Sequence, residues 1–157
     1  MNSFEADKKR GKIGEAAVQE YFEKIGKKVI NVSENKFYQS MDIDFLIDEE
    51  AAEVKTQSSL SRGFITLELD TIYNNCFSKK GWFYSSEAIF FLFYDSTNNL
   101  LYKIDTAELR DYVSKNFDTL KFHQYKFDEG YKVSELLYVP LNELLKNLYS
   151  FSIIELN

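Results

Sequence analysis

Residues 41–57, MDIDFLIDEEAAEVKTQ, constrain the fold of this chain more than any other stretch. Two apolar runs, 43–47 and 51–54, read as strands over 43–47 and 51–56 on either side of the acidic turn Asp48-Glu49-Glu50, which is the spacing of a hairpin. Side chains alternate between the two faces of a strand. Glu53, Lys55 and Gln57 therefore share one face of the second strand, and Ala52, Val54 and Thr56 share the other. In the first strand Asp42 and Asp44 lie with Leu46, opposite Ile43, Phe45 and Ile47. Pairing the two strands near the centre of a sheet brings carboxylates and an ammonium together where a sheet is normally apolar.

The rest of the chain supplies elements around this hairpin. Residues 4–25 read as a helix, with Ile13, Ala17, Val18, Tyr21, Phe22 and Ile25 on one face and Gly26 as its stop. Packing on the sheet is expected through Ile13, Ala17, Tyr21 and Ile25. Residues 28–32 read as a short strand, 33–41 as a polar loop and 64–69 as a further strand. The pattern over 70–87 is ambiguous. The near-continuous apolar run 88–94 reads as a buried central strand. A turn at 95–99 leads to a strand at 100–104, then a helix capped by Asp105 or Thr106 and running to about Asn116. Strands follow at 120–127 and 133–139. Pro140 opens a last helix with Leu141, Leu144, Leu145 and Leu148 on one face. This order predicts an α/β (α+β) domain spanning residues 1–157, a helix followed by a central mixed sheet flanked by helices.

The chain has 157 residues, 45% hydrophobic and 17% aromatic, ample for one packed core. The formal net charge of -6 argues against strong nonspecific nucleic-acid binding. The charge is uneven, with eight Lys or Arg against six Asp or Glu in residues 1–40. A lone cysteine, Cys76, excludes an intramolecular disulfide and fits a reducing cytosol. No apolar run approaches membrane-spanning length. The expectation is a cytoplasmic protein with no membrane partner.

Two neighbouring carboxylates repel unless a cation lies between them. Oxygen ligands without Cys or His clusters suit Mg²⁺ or Mn²⁺ rather than zinc. Asp44 and Glu53 are the candidate ligands, with the Val54 carbonyl as a third oxygen. Lys55 is placed to orient or help deprotonate an attacking water, and to offset charge building on pentavalent phosphorus. Glu15 lies at the rim of the helix stripe, where it can face the metal through a water. Alternation leaves Asp42 and Asp44 equivalent.

Gly14-Glu15 on a first helix, Asp44 opening an apolar strand, and Glu53-Val54-Lys55 together resemble the PD-(D/E)XK nuclease superfamily. Its Holliday-junction-resolvase-like and restriction-endonuclease-like branches are the most similar. The resemblance covers residues 11–57, extends more weakly to Phe64-Ile65-Thr66-Leu67-Glu68 and Gly81-Trp82-Phe83, which look like later parts of small, phage-like members, and has Met41-Asp42 where the family's Pro would be. It implies a restriction-endonuclease-like core and Mg²⁺-dependent hydrolysis of phosphodiesters in DNA, including branched, phage or mobile-element DNA. It makes Asp44 the metal-binding aspartate, since Asp44 directly precedes an apolar run. Glu53 and Lys55 match the family's E-x-K, Glu15 its helix glutamate, and Gln57 a glutamine that touches substrate in some members. It also implies a homodimer, because two strands must be cut.

Lys9, Arg10 and Lys12, with Lys8, are candidate phosphate contacts at the start of the helix. RNA is an alternative substrate of the same fold. The rival from another class is a catalytically silent nuclease-like fold acting as a protein-binding or inhibitory module, favoured by the acidic charge. Trp82, Phe83 and Tyr84 are expected in the core rather than stacked on bases. His123 reads as structural, Cys76 as an unactivated thiol, and Tyr73 with Asn74 and Asn75 as a substrate-loop candidate.

Overall fold

In the computed structural model, which describes residues 3–74, 77–127 and 132–157, the chain starts with helix α1 (Ser3–Lys24). Cys76 and Asn75 lie outside the described residues. The helix stops where Gly26 turns left-handed at φ 85°. The Gly26 and Lys27 amides then donate to the Glu23 and Phe22 carbonyls, at 3.0 and 2.9 Å, closing the last turn. The buried seam is Gly14, Val18 and Phe22, with Ala17 and Tyr21 beside it. Ile13 and Ile25, expected in the seam, are 51% and 49% exposed. Gly14 explains the difference. A Cβ there would lie 1.7 Å from Thr56 Oγ1, so the helix comes closest to the sheet along Gly14 and turns its flanks outward.

Strands β1 (Val29–Asn31), β2 (Phe45–Ile47) and β3 (Glu50–Thr56) follow, with one helical turn, α2 (Lys36–Gln39), between β1 and β2. That turn falls in the expected loop, where the Asn35 side chain caps it by accepting from the Phe37 amide at 3.0 Å. The β2–β3 hairpin pairs Phe45 with Ala52 and Ile47 with Glu50. Its two central residues, Asp48 and Glu49, have φ of 47° and 73°. Such a turn usually carries Asn or Gly. Here Asp48 fixes it by accepting from the Lys28 amide at 2.9 Å and pairing with Lys27 at 3.2 Å.

The strand expected at 64–69 is β4 (Phe64–Tyr73), which runs on into the ambiguous region, and that region also contains β5 (Phe77–Lys80) and a short helix α3 (Trp82–Ser85). The remainder is β6 (Phe90–Asp95), β7 (Leu100–Asp105), α4 (Thr106–Asn116), β8 (Lys121–Lys126), β9 (Lys132–Pro140), α5 (Leu141–Asn147) and β10 (Ser152–Glu155). Asp105 caps α4 by accepting from the Glu108 amide at 2.9 Å. The last strand was not legible, and Leu145, assigned to the inner face of α5, is 58% exposed.

The strands form two sheets, where the sequence suggested one. The first is mixed, in the order β1-β2-β3-β6-β7-β10, with β3 and β6 parallel and every other pair antiparallel. The second is antiparallel, in the order β5-β4-β9-β8. Every residue of β6 is buried, because both faces of the mixed sheet are covered. Phe90, Leu92 and Tyr94 pack toward Val18 and Phe22 of α1. Phe91 and Phe93 pack with Ile65, Leu67 and Leu137 of the second sheet and Leu109 of α4. Each fully buried Leu or Phe contributes about 1.5–3 kcal/mol, so β6 anchors both layers. The fold is thus a mixed α+β domain with a central mixed sheet and flanking helices.

Candidate active site

Strand β3 carries Ala52 and Val54 to the α1 side and Glu53 and Lys55 to the other side. Glu53 pairs with Phe91 and Lys55 with Phe93 across the parallel ladder, so both charges emerge beside an aromatic core. Glu53 is only 3% exposed. Its Oε1 lies 2.6 Å from Lys55 Nζ, and its Oε2 is buried with no hydrogen-bond partner. Lys55 Nζ also stands 5.0 Å from the centre of the Trp82 ring. Trp82 is held edge-to-face against Phe91, with ring centroids 5.4 Å apart.

Strand β2 begins only at Phe45, so Asp44 sits at the open edge of β3. Its amide donates to the Ala52 carbonyl at 2.9 Å, and its Oδ2 accepts from the Val54 amide at 2.8 Å. A strand residue projects its N–H and C=O to the same side, so the Val54 carbonyl also points toward this vacated flank. Glu15 on α1 and Glu53 on β3 both lie within the electrostatic reach of Asp44. An open cleft of about 420 Å³ runs past Glu15, lined by Lys12, Gln19, Asn31, Ser33 and Asn35.

Asp42 parts from Asp44. A left-handed φ of 49° at Asp42 breaks the alternation that made the two equivalent in sequence. Its carboxylate accepts from the Ser85 hydroxyl, and its carbonyl accepts from Ser86 Oγ at 2.8 Å. Arg110 secures that segment by donating to the Phe83 and Ser86 carbonyls, at 2.9 and 2.6 Å. Asp42 thus ties the loop before β2 to α3, while remaining close enough to act on the charges of Glu53 and Lys55.

The electrostatics show an excess of negative charge. Burial pushes the Glu53 carboxyl up to about 8; Lys55 opposes this and Asp44 adds to it. Asp44 is raised by burial, against the Val54 hydrogen bond. Glu15 is raised by burial and then by Asp44, while a Ser33 hydrogen bond lowers it. Burial pulls the Lys55 ammonium down, but Glu53, Asp44 and Asp42 together outweigh it and leave it above its ordinary value. One lysine among these carboxylates leaves the cluster short of positive charge.

Among the described residues, no three His, Cys, Asp or Glu side chains converge to hold an ion by themselves. The donor set is two carboxylates, Asp44 and Glu53, and a peptide carbonyl. That suits Mg²⁺ or Mn²⁺, which bind through one or two carboxylates and keep several waters. The orphaned Glu53 Oε2 is the atom that such an ion would satisfy.

The other expected contacts fall elsewhere. Gln57 uses both ends of its amide on Thr66, donating to its carbonyl at 2.6 Å and accepting from its amide at 3.0 Å. It thereby ties β3 to the free edge of β4. Lys9 and Arg10 are exposed on α1, with Arg10 paired to Asp7 at 3.2 Å. Lys12 alone of the three lines the Glu15 cleft. Phe83 is fully buried and Trp82 half-buried, while Tyr84 is 41% exposed. His123 is exposed on β8 and stacks on Tyr138 at 6.1 Å.

Glu68 was not singled out by sequence. It lies on β4 opposite Leu136, where its carboxyl accepts from the Trp82 amide. Burial raises it first, while Lys55 and then Lys132 draw it down. The sequence signals there were the weaker resemblance over 64–68, which ends on Glu68, and the nearby Gly81-Trp82-Phe83. A Cβ at Gly81 would lie 2.3 Å from the Glu68 carbonyl, so glycine lets α3 press against β4 there.

No family model and no curated protein matches the chain. The chain is similar in structure to a bacterial homing endonuclease, I-Ssp6803I. The identity is 18%, over 63% of this chain and 68% of that one, with a TM-score of 0.49. Among the described residues, no helix is long and apolar enough to cross a membrane.

Proposed function

We propose that this chain is a divalent-metal-dependent endonuclease that hydrolyses phosphodiester bonds in DNA. The observation that carries the reading is Glu53, a buried carboxylate with one oxygen on Lys55 and the other receiving no donor beside the Asp44 carboxylate. Leaving such an atom unpaired costs about 1–3 kcal/mol, and more when it is charged. A chain retains that cost where a bound cation relieves it. Asp44, Glu53 and the Val54 carbonyl would hold Mg²⁺ or Mn²⁺. The bound ion supplies Lewis-acid polarisation of the scissile phosphate.

The protein's own groups do the rest. The Val54 amide fixes the Asp44 carboxylate, and Glu53 holds the Lys55 ammonium where charge builds on phosphorus. Trp82 faces the Lys55 ammonium and keeps bulk water from one side of it. Glu15, raised by burial, orients a water on the helix side of Asp44. Gln57 acts as a positioning residue by fixing β4 against β3. Two such chains as a homodimer would cut both strands of a duplex.

A protein-binding or inhibitory module is the second reading, favoured by the net charge of -6. That charge explains a surface, not a buried carboxylate that shares its one lysine with Asp44, so the nuclease reading stands first. The test incubates the chain with plasmid, branched DNA and RNA, with Mg²⁺, Mn²⁺ or a chelator. Metal-dependent cleavage of DNA is expected. No cleavage of any substrate with either metal would put the binding module first.

A further inference from the structure

The four-stranded sheet has two chemically distinct faces. Ile65, Leu67, Leu69, Leu137 and Val139 form its inner face and are buried in the core. The outer face follows from the register. Thr66 pairs with Tyr138 and Glu68 with Leu136. A bulge after Glu68 then shifts the strand by one residue, so Thr71 meets Ser134 and Tyr73 meets Lys132. The edge strands extend this face, through Lys79 and Phe77 on one side and Lys121, His123 and Tyr125 on the other.

Charge is sorted between the faces. The outer face carries Lys79, Lys121 and Lys132, and Glu68 is the one carboxylate among its described strand residues. The bulge turns Asp70 and Glu135 to the opposite face, where Asp70 pairs with Lys80. None of the three outer lysines makes a salt bridge among the described residues. Two of them, Lys121 and Lys132, instead lie over aromatic rings. Lys121 Nζ is 5.8 Å from the Tyr138 ring centre, and Lys132 Nζ is 4.3 Å from that of Phe127 and 5.8 Å from that of Tyr73. Arg62 continues the row, 5.2 Å from the Phe64 ring centre.

Packing accounts only for the middle of this face, where Thr71 and Ser134 are buried against each other. Every residue of β8, KFHQYK, is exposed, and so is every residue of β5, FSKK. In a chain of net charge -6, a cationic and aromatic sheet face with unpaired lysines is complementary to a polyanion. It also reaches the candidate active site, since Glu68 accepts from the Trp82 amide and lies within the field of Lys55.

We propose that the outer face of the β5-β4-β9-β8 sheet is the platform on which the DNA backbone lies, with Lys79, Lys121 and Lys132 on phosphates. This rests on the nuclease reading for the identity of the polyanion. The platform leads a strand toward Glu68 and the Asp44–Glu53–Lys55 cluster.

The test measures binding of a short DNA duplex by fluorescence anisotropy in chelator, from about 50 to 200 mM salt. Wild type is compared with the triple variant Lys79→Gln, Lys121→Gln, Lys132→Gln, and with the control Lys115→Gln, Lys146→Gln on α4 and α5. Each phosphate contact adds ~0.9 to the slope of log affinity against log salt. The triple variant should lose about 2–3 from that slope and bind about tenfold or more weakly at low salt. The control should match wild type, and matching thermal melts show that all three proteins are folded. An unchanged slope in the triple variant, an equal loss in the control, or a wild type that does not bind DNA overturns the platform. A wild type that binds with the expected slope yet cuts nothing overturns the nuclease reading and leaves the platform standing. A wild type that cuts, beside a triple variant that binds unchanged, does the reverse.

Discussion

Lys55 Nζ lies 2.6 Å from Glu53 Oε1, and the other oxygen of that carboxylate, buried beside Asp44, has no partner. One ammonium therefore serves a site with more than one carboxylate. The pair is not a stabilising salt bridge in the ordinary sense, because desolvating both charges costs as much as their attraction returns. Its consequences for pH, metal and catalysis can be measured.

The first is a stability profile. Glu53 is pushed up to about 8 from 4.5, chiefly by burial. The folded protein therefore keeps a proton that the unfolded chain releases above pH 4.5. Linkage then makes the metal-free protein most stable, as far as this group decides it, below the unfolded value. Stability falls as pH rises through about 8. Asp44, also raised, acts with the same sign. Lys55, raised above 10.5, acts only at higher pH and leaves this window alone. Melting temperature in chelator should fall by roughly 5 °C or more between pH 5 and 8. Glu53→Gln should flatten the decline, and Mn²⁺ should abolish it in the wild type. A flat wild-type profile in chelator would mean that Glu53 is not the stressed group.

Metal binding should separate two substitutions at Asp44. Asp44→Asn keeps an oxygen for the Val54 amide, now at 2.8 Å, and removes the charge. Mn²⁺ affinity measured by calorimetry should drop by about tenfold or more, with the fold intact and some repulsion relieved. Asp44→Ala also strands the Val54 amide, and should cost a further ~1–3 kcal/mol in urea unfolding. If Asp44→Asn and Glu53→Gln both bind Mn²⁺ as wild type does, the metal site lies elsewhere.

How much of this was legible follows from the range of each signal. Alternation placed Glu53 and Lys55 on one face of β3 and Val54 on the other, because β3 is regular. It failed at Asp42 and Asp44, where a left-handed residue and the late start of β2 turn the two side chains to different partners. The helix seam was misjudged because apolar spacing counts Ile13 and Ile25 and gives no weight to a glycine. The closest contact with the sheet is at Gly14, which has no side chain to count. The second sheet and Glu68 were hidden because a bulge and a sheet-to-sheet contact are tertiary facts. Residues 70–87 look irregular until Gly81 is seen against β4.

The Gly14 contact gives a structural test independent of chemistry. Gly14→Ala places a Cβ against Thr56 Oγ1, so α1 must lift from β3 or Thr56 must rotate. Overpacking of this kind costs about 1–3 kcal/mol, against roughly 0.5–1 kcal/mol gained from helix propensity. Net destabilisation is expected in urea unfolding. Adding Thr56→Ala should restore most of the loss, since the clashing oxygen is itself buried without a partner. A Gly14→Ala protein as stable as wild type would mean that the helix does not approach β3 this closely.

Lys55 decides between a site that cuts and one that only binds. Its ammonium is held by Glu53 on one side and by the Trp82 ring, 5.0 Å from its nitrogen, on the other. A group so fixed offsets charge that develops in the transition state, at no cost of reorganisation. Lys55→Ala should therefore lower the cleavage rate by about 10²-fold or more. DNA affinity should change by only about threefold, since one lysine is one phosphate contact among several. Lys55→Arg keeps the charge, but spreads it over a planar fork in place of the compact ammonium. It should recover DNA affinity fully and cleavage only in part. This split between rate and affinity marks a group acting on the transition state rather than on the bound substrate. Equal cleavage by Lys55→Ala and wild type would make the lysine a structural partner of Glu53 and remove it from the chemistry.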